Sequence, residues 1–358
     1  MKINRYISSA IAVGGLLLLP VLESCRTEIC YNHFPVADVS LSWEQEWERD
    51  YGMGHYAAWN KDFYGFEYGE LRPPTPEWVS LVRYSKEGDV TSEKYFPSEG
   101  GELMLSPKYD DSFLLYNGDT EYIILTDLAS LPDARATSTS RTRTSISYVM
   151  ERHPDARSVN PPDILYSAYL GNLPDVKVHE KETVPVMMQP LVYTYLVRYE
   201  FEEGLDHVAL ARGALAGMAE SVYLRDGRTS DRTNIILYDC DVKEYGCEAY
   251  VRSFGVPGFP DKYYGRTAPG EITGPYTLNL EVMLKNGKTT EFNFDISDQL
   301  KNQPRGGVIT VGGISIKEEQ AKPDPVESGF DVDLDTWGSG IDVDVPMNVE
   351  YTYGKDNK

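Results

Sequence analysis

The thiol of Cys25 is the side chain whose position most directly suggests a chemical role. Lys2 and Arg5 lie near the start of the chain, and an uncharged, mostly apolar run extends from Ile7 to Leu22. A positive start, an apolar stretch and small residues at its end are the layout of a secretory signal peptide. The run is short for a bilayer-spanning helix, which needs ~20 predominantly apolar residues. The N-terminal segment is therefore predicted to direct export, and Cys25 lies where such a segment ends.

The residues Leu22-Glu23-Ser24-Cys25 resemble the bacterial lipobox, in which a branched apolar residue lies three places before the cysteine and a small residue directly precedes it. The resemblance implies acylation of the thiol, removal of residues 1–24 as a signal peptide, and acylation of the new amino terminus. A thiolate supplies the nucleophile, and two or three acyl chains anchor a protein stably. Residues 25–36 would then form a lipidated tether to a membrane. The alternative is an ordinary signal peptide, with Cys25 left as a thiol or in a disulfide.

Cys240 and Cys247 form a second cysteine pair with an informative spacing. They bracket the sequence DVKEYG, and a bond between them would close a small loop at the end of a strand. Export favours such a disulfide because the compartment is oxidising. The spacing matches no zinc motif, and no histidine lies nearby. A disulfide is therefore predicted, against the alternative of two reduced thiols, and Cys30 is left over close to the tether.

The sequence contains no recognisable catalytic motif. The HExxH, GxSxG and P-loop motifs are absent. We therefore predict a protein that is not an enzyme and needs no cofactor. A pair of carboxylates brought together only by the fold stays open as a route to glycoside hydrolysis. The histidines, which are scattered without a metal-ligand spacing, are His33, His55, His153, His179 and His207.

Acidic residues alternate with apolar ones near the C terminus. Asp331, Asp333 and Asp335 would share one face of a strand, and so would Asp342 and Asp344. Calcium binds oxygen ligands of this kind, but no glycine-containing loop of EF-hand type accompanies them. A solvent-facing acidic face explains the pattern, so no metal site is predicted.

Aromatic residues are concentrated in a stretch after residue 42 that is dotted with glycines and closed by prolines. Exposed tryptophan and tyrosine rings can stack on sugars or anchor a protein contact. The stretch is predicted to be a structured loop that offers a binding surface. The alternative is a loop whose rings are buried over the end of a sandwich. The candidate binding residues are Trp43, Trp47, Tyr56, Trp59 and Tyr64.

The charge balance limits the classes of partner. The chain has 358 residues and a formal net charge of −22 at pH 7. Such an acidic chain argues against nucleic-acid binding and against electrostatic adhesion to anionic lipid. Contact with a membrane is therefore expected only through the covalent lipid. Tyrosine is abundant, with 26 residues, and favours strands and binding surfaces.

Strand-like alternation and turn signals recur along the chain and indicate an all-β fold. The clearest strand runs from Leu191 to Phe201, with an apolar or aromatic residue at every second position. The strongest hairpin follows residue 274, and its Asn286-Gly287 pair predicts a tight type I′ turn. Short strands separated by turns suggest two β-sandwich domains, at residues 37–190 and 191–358.

Three segments have less regular patterns. Residues 133–146 are polar and predict an exposed loop. The stretch HVALARGALAGMAESVYL is predicted as a strand through Leu210 and a short helix or turn near residues 214–221, because its glycines disfavour a long helix. Residues 341–353 alternate and contain Pro346, which predicts a last strand at a sheet edge.

Four segments carry a resemblance to a known family: LLYNGDTEYIIL, PPDILYSAY, LVYTYLVRYEF and RGALAGMAESVYL. They resemble a family of Bacteroidales lipoproteins of unknown function. Those proteins are similar to fimbrillin-associated anchor proteins of the FimB type, a link carried by the lipobox, the paired β-domains and Gly217-Met218-Ala219. The resemblance implies two transthyretin-like β-sandwiches held on the outer membrane of a Gram-negative cell, with strand exchange to a fimbrillin-like subunit.

The same resemblance points to a protease-sensitive loop. In pilins of that group a protease cuts after an arginine, and Arg141 and Arg143 lie in a segment of matching type. The expected function is an anchor or accessory subunit of fimbria-like appendages. The chief alternative is a glycan-binding surface lipoprotein that works beside a carbohydrate-uptake system, and a hydrolase on a sandwich scaffold is a third.

Overall fold

β-Strands dominate the architecture, which confirms the predicted all-β class. Within the described part of the chain, eighteen strands form two large sheets and one small sheet. The computed structural model describes residues 35–44, 62, 74–105, 111–143, 146–171, 173, 182–259, 275–301 and 303–322.

The elements follow one another in this order. The strands are β1 (Val36–Trp43), β2 (Trp78–Tyr84), β3 (Val90–Pro97), β4 (Gly100–Met104), β5 (Ser112–Asn117), β6 (Ile123–Thr126), β7 (Arg135–Ser138), β8 (Arg157–Val159), β9 (Tyr166–Leu170), β10 (Glu182–Pro190), β11 (Tyr193–Glu203), β12 (Val208–Ala219), β13 (Ser221–Tyr223), β14 (Thr233–Lys243), β15 (Gly246–Ser253), β16 (Thr277–Leu284), β17 (Thr289–Asp295) and β18 (Gly307–Ser315). The short helices are α1 (Ser147–Arg152), α2 (Ser297–Leu300) and α3 (Glu318–Ala321), and a 3₁₀ turn spans Leu205–His207.

The first large sheet curls around its own core. Its seven strands lie in the order β3-β2-β5-β9-β10-β1-β4, and all seven contribute side chains to one buried cluster. Strand β10 shows why one face of the sheet is buried: its apolar residues Val184, Val186 and Met188 point inward, and the residues between them are exposed. The Nζ atom of Lys94 on β3 donates to the carbonyl oxygen of Glu102 on β4. The two ends of the sheet therefore come close to closing on each other.

The second large sheet is built in the same way from the C-terminal half. Its path is β17-β16-β12-β14-β15-β11-β18, with β8 added beside β14. Residues of β11, β12, β14, β15, β16 and β18 share one buried cluster, and Phe292 and Phe294 of β17 pack against it. Strands from both ends of the path meet in this cluster, so this sheet also wraps around its core.

A small sheet and a shared core join the two halves. Strand β7 pairs with β6 on one side and with β13, from the C-terminal half, on the other. Val82 and Leu114 point from the first large sheet into a core that also contains Leu191, Val222 and Phe254. The division of the chain near residue 190 stays a prediction, and the segment around β7 and β8 pairs with strands from beyond that point.

The segment between β7 and β9 crosses the outer face of the second large sheet. Helix α1 places Val149 beside Ala214 and Ala216 of β12 and Ile235 of β14. The parallel pairing of β8 with β14 then fixes the end of the crossing. We call residues 139–143 and 146–159 the strap, because they cover part of the sheet face that the strand pattern alone would leave to solvent.

Strand β12 corrects the prediction for its segment. It runs unbroken from Val208 to Ala219, with no helix near residues 214–221. Gly217 adopts a positive φ of 94° at a bulge between the pairs formed by Ala216 and Met218. A Cβ atom there would lie 2.7 Å from the carbonyl oxygen of Pro275. The small residues that resembled a weak helix allow α1 and the neighbouring backbone to approach closely.

The long strand and the hairpin are confirmed, but the predicted turn type is wrong. Tyr195, Val197 and Tyr199 of β11 are fully buried, as the alternation predicts. Between β16 and β17 only Gly287 has a positive φ, of 82°; among the described residues, the sole non-glycine residue with a positive φ is Asp127. The connection is therefore a three-residue loop that ends on a left-handed glycine, because the N–H of Leu284 bonds to the carbonyl of Lys288.

In the described ranges no helix has the length and apolar character required to span a membrane.

Candidate site for strand addition

The edge strand β18 is closed by side chains along half of its length. It pairs with β11 on one side only. On its other side, the Nε2 of Gln303 donates to the carbonyl of Val308 at 2.8 Å, and Oε1 accepts from the N–H of the same residue. Gln299 makes the same pair of bonds with Thr310, at 2.8 and 3.0 Å. Each amide replaces the two bonds of a neighbouring strand, so this part of the edge cannot accept one.

The local chain holds these glutamines in place. Gln299 lies in helix α2 and Gln303 lies just after it. The helix is fixed to the core by Leu300, which is fully buried. The carbonyl of Gln303 accepts a bond of 2.9 Å from the hydroxyl of buried Tyr195. Gly307 makes room for the side chain, since a Cβ atom there would lie 1.9 Å from Oε1 of Gln303. The edge is thus closed by residues fixed through the core.

A bulge protects the remainder of β18. Val311 pairs with Tyr199, and the next pair joins Ile314 to Phe201, so Gly312 and Gly313 together lie opposite the single residue Glu200 and the edge strand has one extra residue. Gly313 has a positive φ of 78°. A bulge of this kind twists an edge away from flat pairing and is a common protection against unwanted strand addition.

The opposite edge, β17, has no such protection within the described residues. It pairs with β16 through seven positions and ends the path of the sheet. Phe292 and Phe294 are half-buried against the core, so the edge combines exposed backbone groups with an apolar inner face. Burial, together with the charge of Glu281, raises the pKa of the Glu291 carboxyl. This strand is therefore the candidate site for strand addition.

The C-terminal part of the chain begins beside this open edge. The Nδ2 of Asn286, in the turn between β16 and β17, donates to the carbonyl oxygens of Gln320 and Lys322 at 2.8 and 3.0 Å. These bonds tie α3 and the last described residue to the end of β17. Residues 323–358, which include the predicted strand and the alternating aspartates Asp331, Asp333, Asp335, Asp342 and Asp344, lie outside the described ranges.

Of the predicted aromatic surface, only Trp43 lies within the described residues. It belongs to β1, and its Nε1 donates to the carbonyl of Ser98 at 3.1 Å. Its ring meets Tyr166 edge to face, with centroids 5.0 Å apart. Trp43 is thus a packed strand residue rather than part of a loop. Trp47, Tyr56, Trp59 and Tyr64 lie outside the described ranges, as do Cys25 and Cys30.

The predicted disulfide is not formed. Cys240 and Cys247 are free thiols on β14 and β15. The strand register explains this, because the residue opposite Cys247 is Val242, two positions beyond Cys240. Such diagonal positions are ~7–8 Å apart, whereas a disulfide needs Cα atoms within ~4.4–6.8 Å. Burial raises the pKa of the Cys247 thiol to about 12, which keeps it protonated and unreactive.

Arg141 and Arg143 do not lie in an exposed loop, which corrects the prediction of a protease-sensitive site. Arg141 donates to the carbonyl of Leu237 at 3.2 Å and forms an ion pair with Asp239 at 3.1 Å. The side chain of Arg143 is only 6% exposed. Both residues belong to the strap, and their guanidinium groups hold it against the second sheet. A protease requires an accessible extended segment, so these bonds protect the site.

The bonds of Arg143 define a buried polar cluster, which consists of Arg143, Arg212, Asn279 and Glu281. Arg143 donates to Asn279 Oδ1 at 2.7 Å and to the carbonyl of Gly213 at 3.1 Å. Its Nε lies 3.6 Å from Glu281 Oε2, and Arg212 makes a two-point contact with the same carboxylate at 2.7 and 3.2 Å. Burial lowers the pKa of Arg143. The sequence indicated outward-facing polar residues here, but it did not indicate that the strap covers them.

Replacing Gln303 by alanine is expected to lower the free energy of unfolding by about 2 kcal/mol. The change leaves the N–H and carbonyl of Val308 without their partners, and each buried unpaired group costs about 1–3 kcal/mol. Urea unfolding measures the loss, and gel filtration tests whether the opened edge self-associates. Glu182→Ala, at an exposed glutamate on β10, is the control. Equal stability of the two variants would contradict the role assigned to the Gln303 amide.

Comparison with known proteins finds a matching family model and a relative from Bacteroides ovatus. Residues 65–239 match the family model described as "Domain of unknown function (DUF5119)". A relative from Bacteroides ovatus, "Putative fimbrium anchoring subunit Fim4B", is 22% identical over 297 residues, which cover 76% of this chain and 86% of that protein. The predicted resemblance to an uncharacterised family and to fimbrial anchor proteins is thereby confirmed.

The chain is also similar to solved structures. The crystal structure of a "putative adhesin" from Bacteroides ovatus matches with a TM-score of 0.54 and 19% identity, covering 79% of this chain and 93% of that one. The fimbrial anchor protein Mfa2 from Porphyromonas gingivalis matches with a TM-score of 0.39 and 9% identity, covering 77% of this chain and 90% of that one.

Proposed function

We propose that this protein is a non-enzymatic anchor or accessory subunit of fimbria-like appendages, which binds other subunits by strand addition. The observation that carries the proposal is the difference between the two edges of the second large sheet. The outer edge of strand β18 is closed by Gln299, Gln303 and a glycine bulge. Strand β17 pairs with β16 on one side, and its other side is the open end of the described sheet. The similarity to a fimbrium anchoring subunit supports the fimbrial context.

The C-terminal segment is the proposed ligand of the open edge. Residues 323–340 could span up to ~60 Å when extended, and β17, with seven residues, is about 24 Å long. The segment starting at Ile341 can therefore lie along β17 within the same molecule or reach a neighbouring subunit. Its alternation would place Val343 and Val345 over Phe292 and Phe294. Pro346 removes one backbone donor and restricts the segment to an edge position.

The proposal includes a lipid anchor and a place at the cell surface. Acylation of Cys25 would hold the chain on the outer membrane, with the residues between Cys25 and Pro35 as a tether, and leave the β-sheets free to contact fimbrillin-like subunits. The two halves would correspond to two transthyretin-like sandwiches joined by the small sheet. Adhesion would then depend on backbone pairing, for which no cofactor or metal is needed.

Deleting residues 341–358 is expected to lower the melting temperature and to abolish capture of a fimbrillin-like subunit. The apolar face of the segment should cause both effects, because it covers the open side of β17. Differential scanning calorimetry and pull-down of purified subunits measure the two effects.

Two single substitutions distinguish the contribution of the apolar face of this segment from that of its acidic face. Val343→Glu should reproduce both losses, while Asp342→Asn, on the opposite face, should preserve stability and capture. An unchanged melting temperature after the deletion would show that the segment does not dock on its own sheet. Undiminished capture would remove the assembly role from this part of the chain.

A further inference from the structure

A cleft of about 400 Å³ lies where the two halves of the chain meet, away from the edge strand β17. Its walls come from the residue before β6, the loop between β8 and β9, and the outer faces of β11 and β15. This volume is within the ~300–1,000 Å³ typical of small-molecule sites. The residues that line it include Tyr122, Pro161, Asp163, Thr194, Tyr250 and Arg252.

The walls of this cleft are held rigidly. Asp163 Oδ2 accepts bonds from the backbone N–H groups of Glu121, at 2.7 Å, and Tyr122, at 2.5 Å. The carbonyl of Tyr122 accepts a bond of 2.9 Å from Thr139. Two consecutive prolines precede Asp163 and fix their own φ angles near −65°. The geometry of the cleft is therefore set before any ligand arrives, which reduces the entropy cost of binding.

The opposite wall is a regular part of the second sheet. Thr194 of β11 pairs directly with Arg252 of β15, and Tyr250 lies two positions away on the same face. Tyr250 is 48% exposed, so its ring is available to a ligand. This wall thus presents an aromatic face, a hydroxyl and a guanidinium group in fixed spacing.

The groups that line the cleft fit a particular chemistry. The bonds to Asp163 use only Oδ2, so Oδ1 keeps its capacity to accept from a ligand hydroxyl. Arg252 can donate two parallel bonds to adjacent oxygen atoms. Tyrosine rings offer flat apolar faces with a polar edge. A pyranose ring has the matching set, since its C–H face stacks on an aromatic ring and its neighbouring hydroxyls both donate and accept.

The charges of the cleft select against ionic ligands. Asp163 and Arg252 have opposite charges, so a ligand with a net charge would meet one like-charged group. The remaining chain has an overall charge of −22 and would repel polyanions in particular. We propose that this cleft binds a neutral saccharide, with Tyr250 as the stacking platform and Asp163 and Arg252 as the hydroxyl-binding pair. This function is additional to strand addition and does not depend on β17.

Saturation-transfer NMR on the full exported chain tests the proposal. The probes are the methyl glycosides of mannose, galactose, glucose and N-acetylglucosamine, together with lactose. At least one should receive saturation with a Kd on the order of 1 mM, typical of a ligand of this size. Tyr250→Ala and Arg252→Ala should each weaken binding by about tenfold. Tyr250→Phe, which keeps the ring, should retain binding.

The control is Tyr95→Ala, at a tyrosine on β3 that is 61% exposed and lies outside the cleft. It should bind the same probe as the unaltered protein. Absence of saturation transfer to all five probes would overturn the proposal, and so would equal binding by the Tyr250→Ala and Tyr95→Ala variants. If Tyr250→Ala reduces capture of a protein subunit while no saccharide receives saturation, the cleft is a protein contact and the saccharide assignment is wrong. The Val343→Glu variant, which should lose strand addition, should bind saccharide as the unaltered protein does. A failure of one proposed function can therefore be distinguished from a failure of the other.

Discussion

The Cys25→Ala variant is expected to move from the membrane fraction to the soluble fraction almost completely. Two or three acyl chains give stable anchoring, whereas the acidic chain itself has no attraction for anionic lipid. With the thiol removed, residue 25 cannot be acylated, so a chain whose leader has been removed has no lipid to hold it on the membrane. Cell fractionation and incorporation of labelled palmitate measure the effect.

Cys30→Ala is the matched control for this experiment. It removes a thiol five residues further along and should leave both membrane retention and palmitate labelling unchanged. Retention of Cys25→Ala in the membrane, with its leader removed, would show that the lipobox reading is wrong. Loss of labelling in the Cys30 variant as well would indicate that acylation is not restricted to Cys25.

The regular strands could be predicted from sequence because their pattern is local. In β11 the side chains that enter the core of the second large sheet, Tyr195, Val197 and Tyr199, recur at every second position, and the period of a strand is two. The hairpin of β16 and β17 was equally clear, since polar turn residues separate two alternating runs. The type of its turn could not be predicted, because Asn286-Gly287 is compatible with both a two-residue and a three-residue loop. The number of paired residues on each side decides between them, and Met283 pairs with Thr289.

Strand β12 and the strap were mispredicted for a related reason. Ala214 and Ala216 look weakly helical in sequence, but their small side chains are explained by α1, which lies directly on them. Residues 139–143 look like a solvated loop because they are polar. Their arginines find partners about 70 to 140 positions further along the chain, at Gly213 and Asn279. A single sequence does not show such pairings.

The candidate site depends even more on tertiary structure. Gln299 and Gln303 are ordinary polar residues in sequence, and their role becomes visible only when they lie beside Val308 and Thr310. The cleft likewise joins Tyr122 to Tyr250 across two sheets. The abundance of tyrosine favoured an aromatic binding surface, and the sequence placed that surface in the segment after residue 42. The cleft can be located only from the contacts between the two halves of the folded chain.

Glu281→Gln is expected to lower the free energy of unfolding by roughly 3 kcal/mol, because it leaves two guanidinium groups without their shared counter-charge. The carboxylate is 4% exposed and pairs with both Arg143 and Arg212. Burial already lowers the pKa of Arg143, which shows that the surroundings penalise its charge. Glutamine keeps the shape of the side chain but replaces one acceptor oxygen by an NH2 donor, so the loss measured by urea unfolding reports the missing charge together with one of the two contacts to Arg212. Glu244→Gln, at an exposed position in the turn between β14 and β15, should change stability by less than about 0.5 kcal/mol.

Proteolysis tests whether the buried polar cluster holds the strap against the second sheet. In the unaltered protein an arginine-specific protease should leave the peptide bonds after Arg141 and Arg143 intact, since both side chains are bonded to the second sheet. In the Glu281→Gln variant the weakened hold on Arg143 should allow the strap to open more often, and cleavage after Arg141 and Arg143 should become faster under the same conditions. Mass spectrometry of the fragments identifies the cut. Adding Arg143→Gln to Glu281→Gln should recover part of the lost stability, because the buried positive charge is then removed together with its partner. Rapid cleavage at these arginines in the unaltered protein would show instead that the strap is open in solution, and that the protease-sensitive loop implied by the family resemblance exists after all.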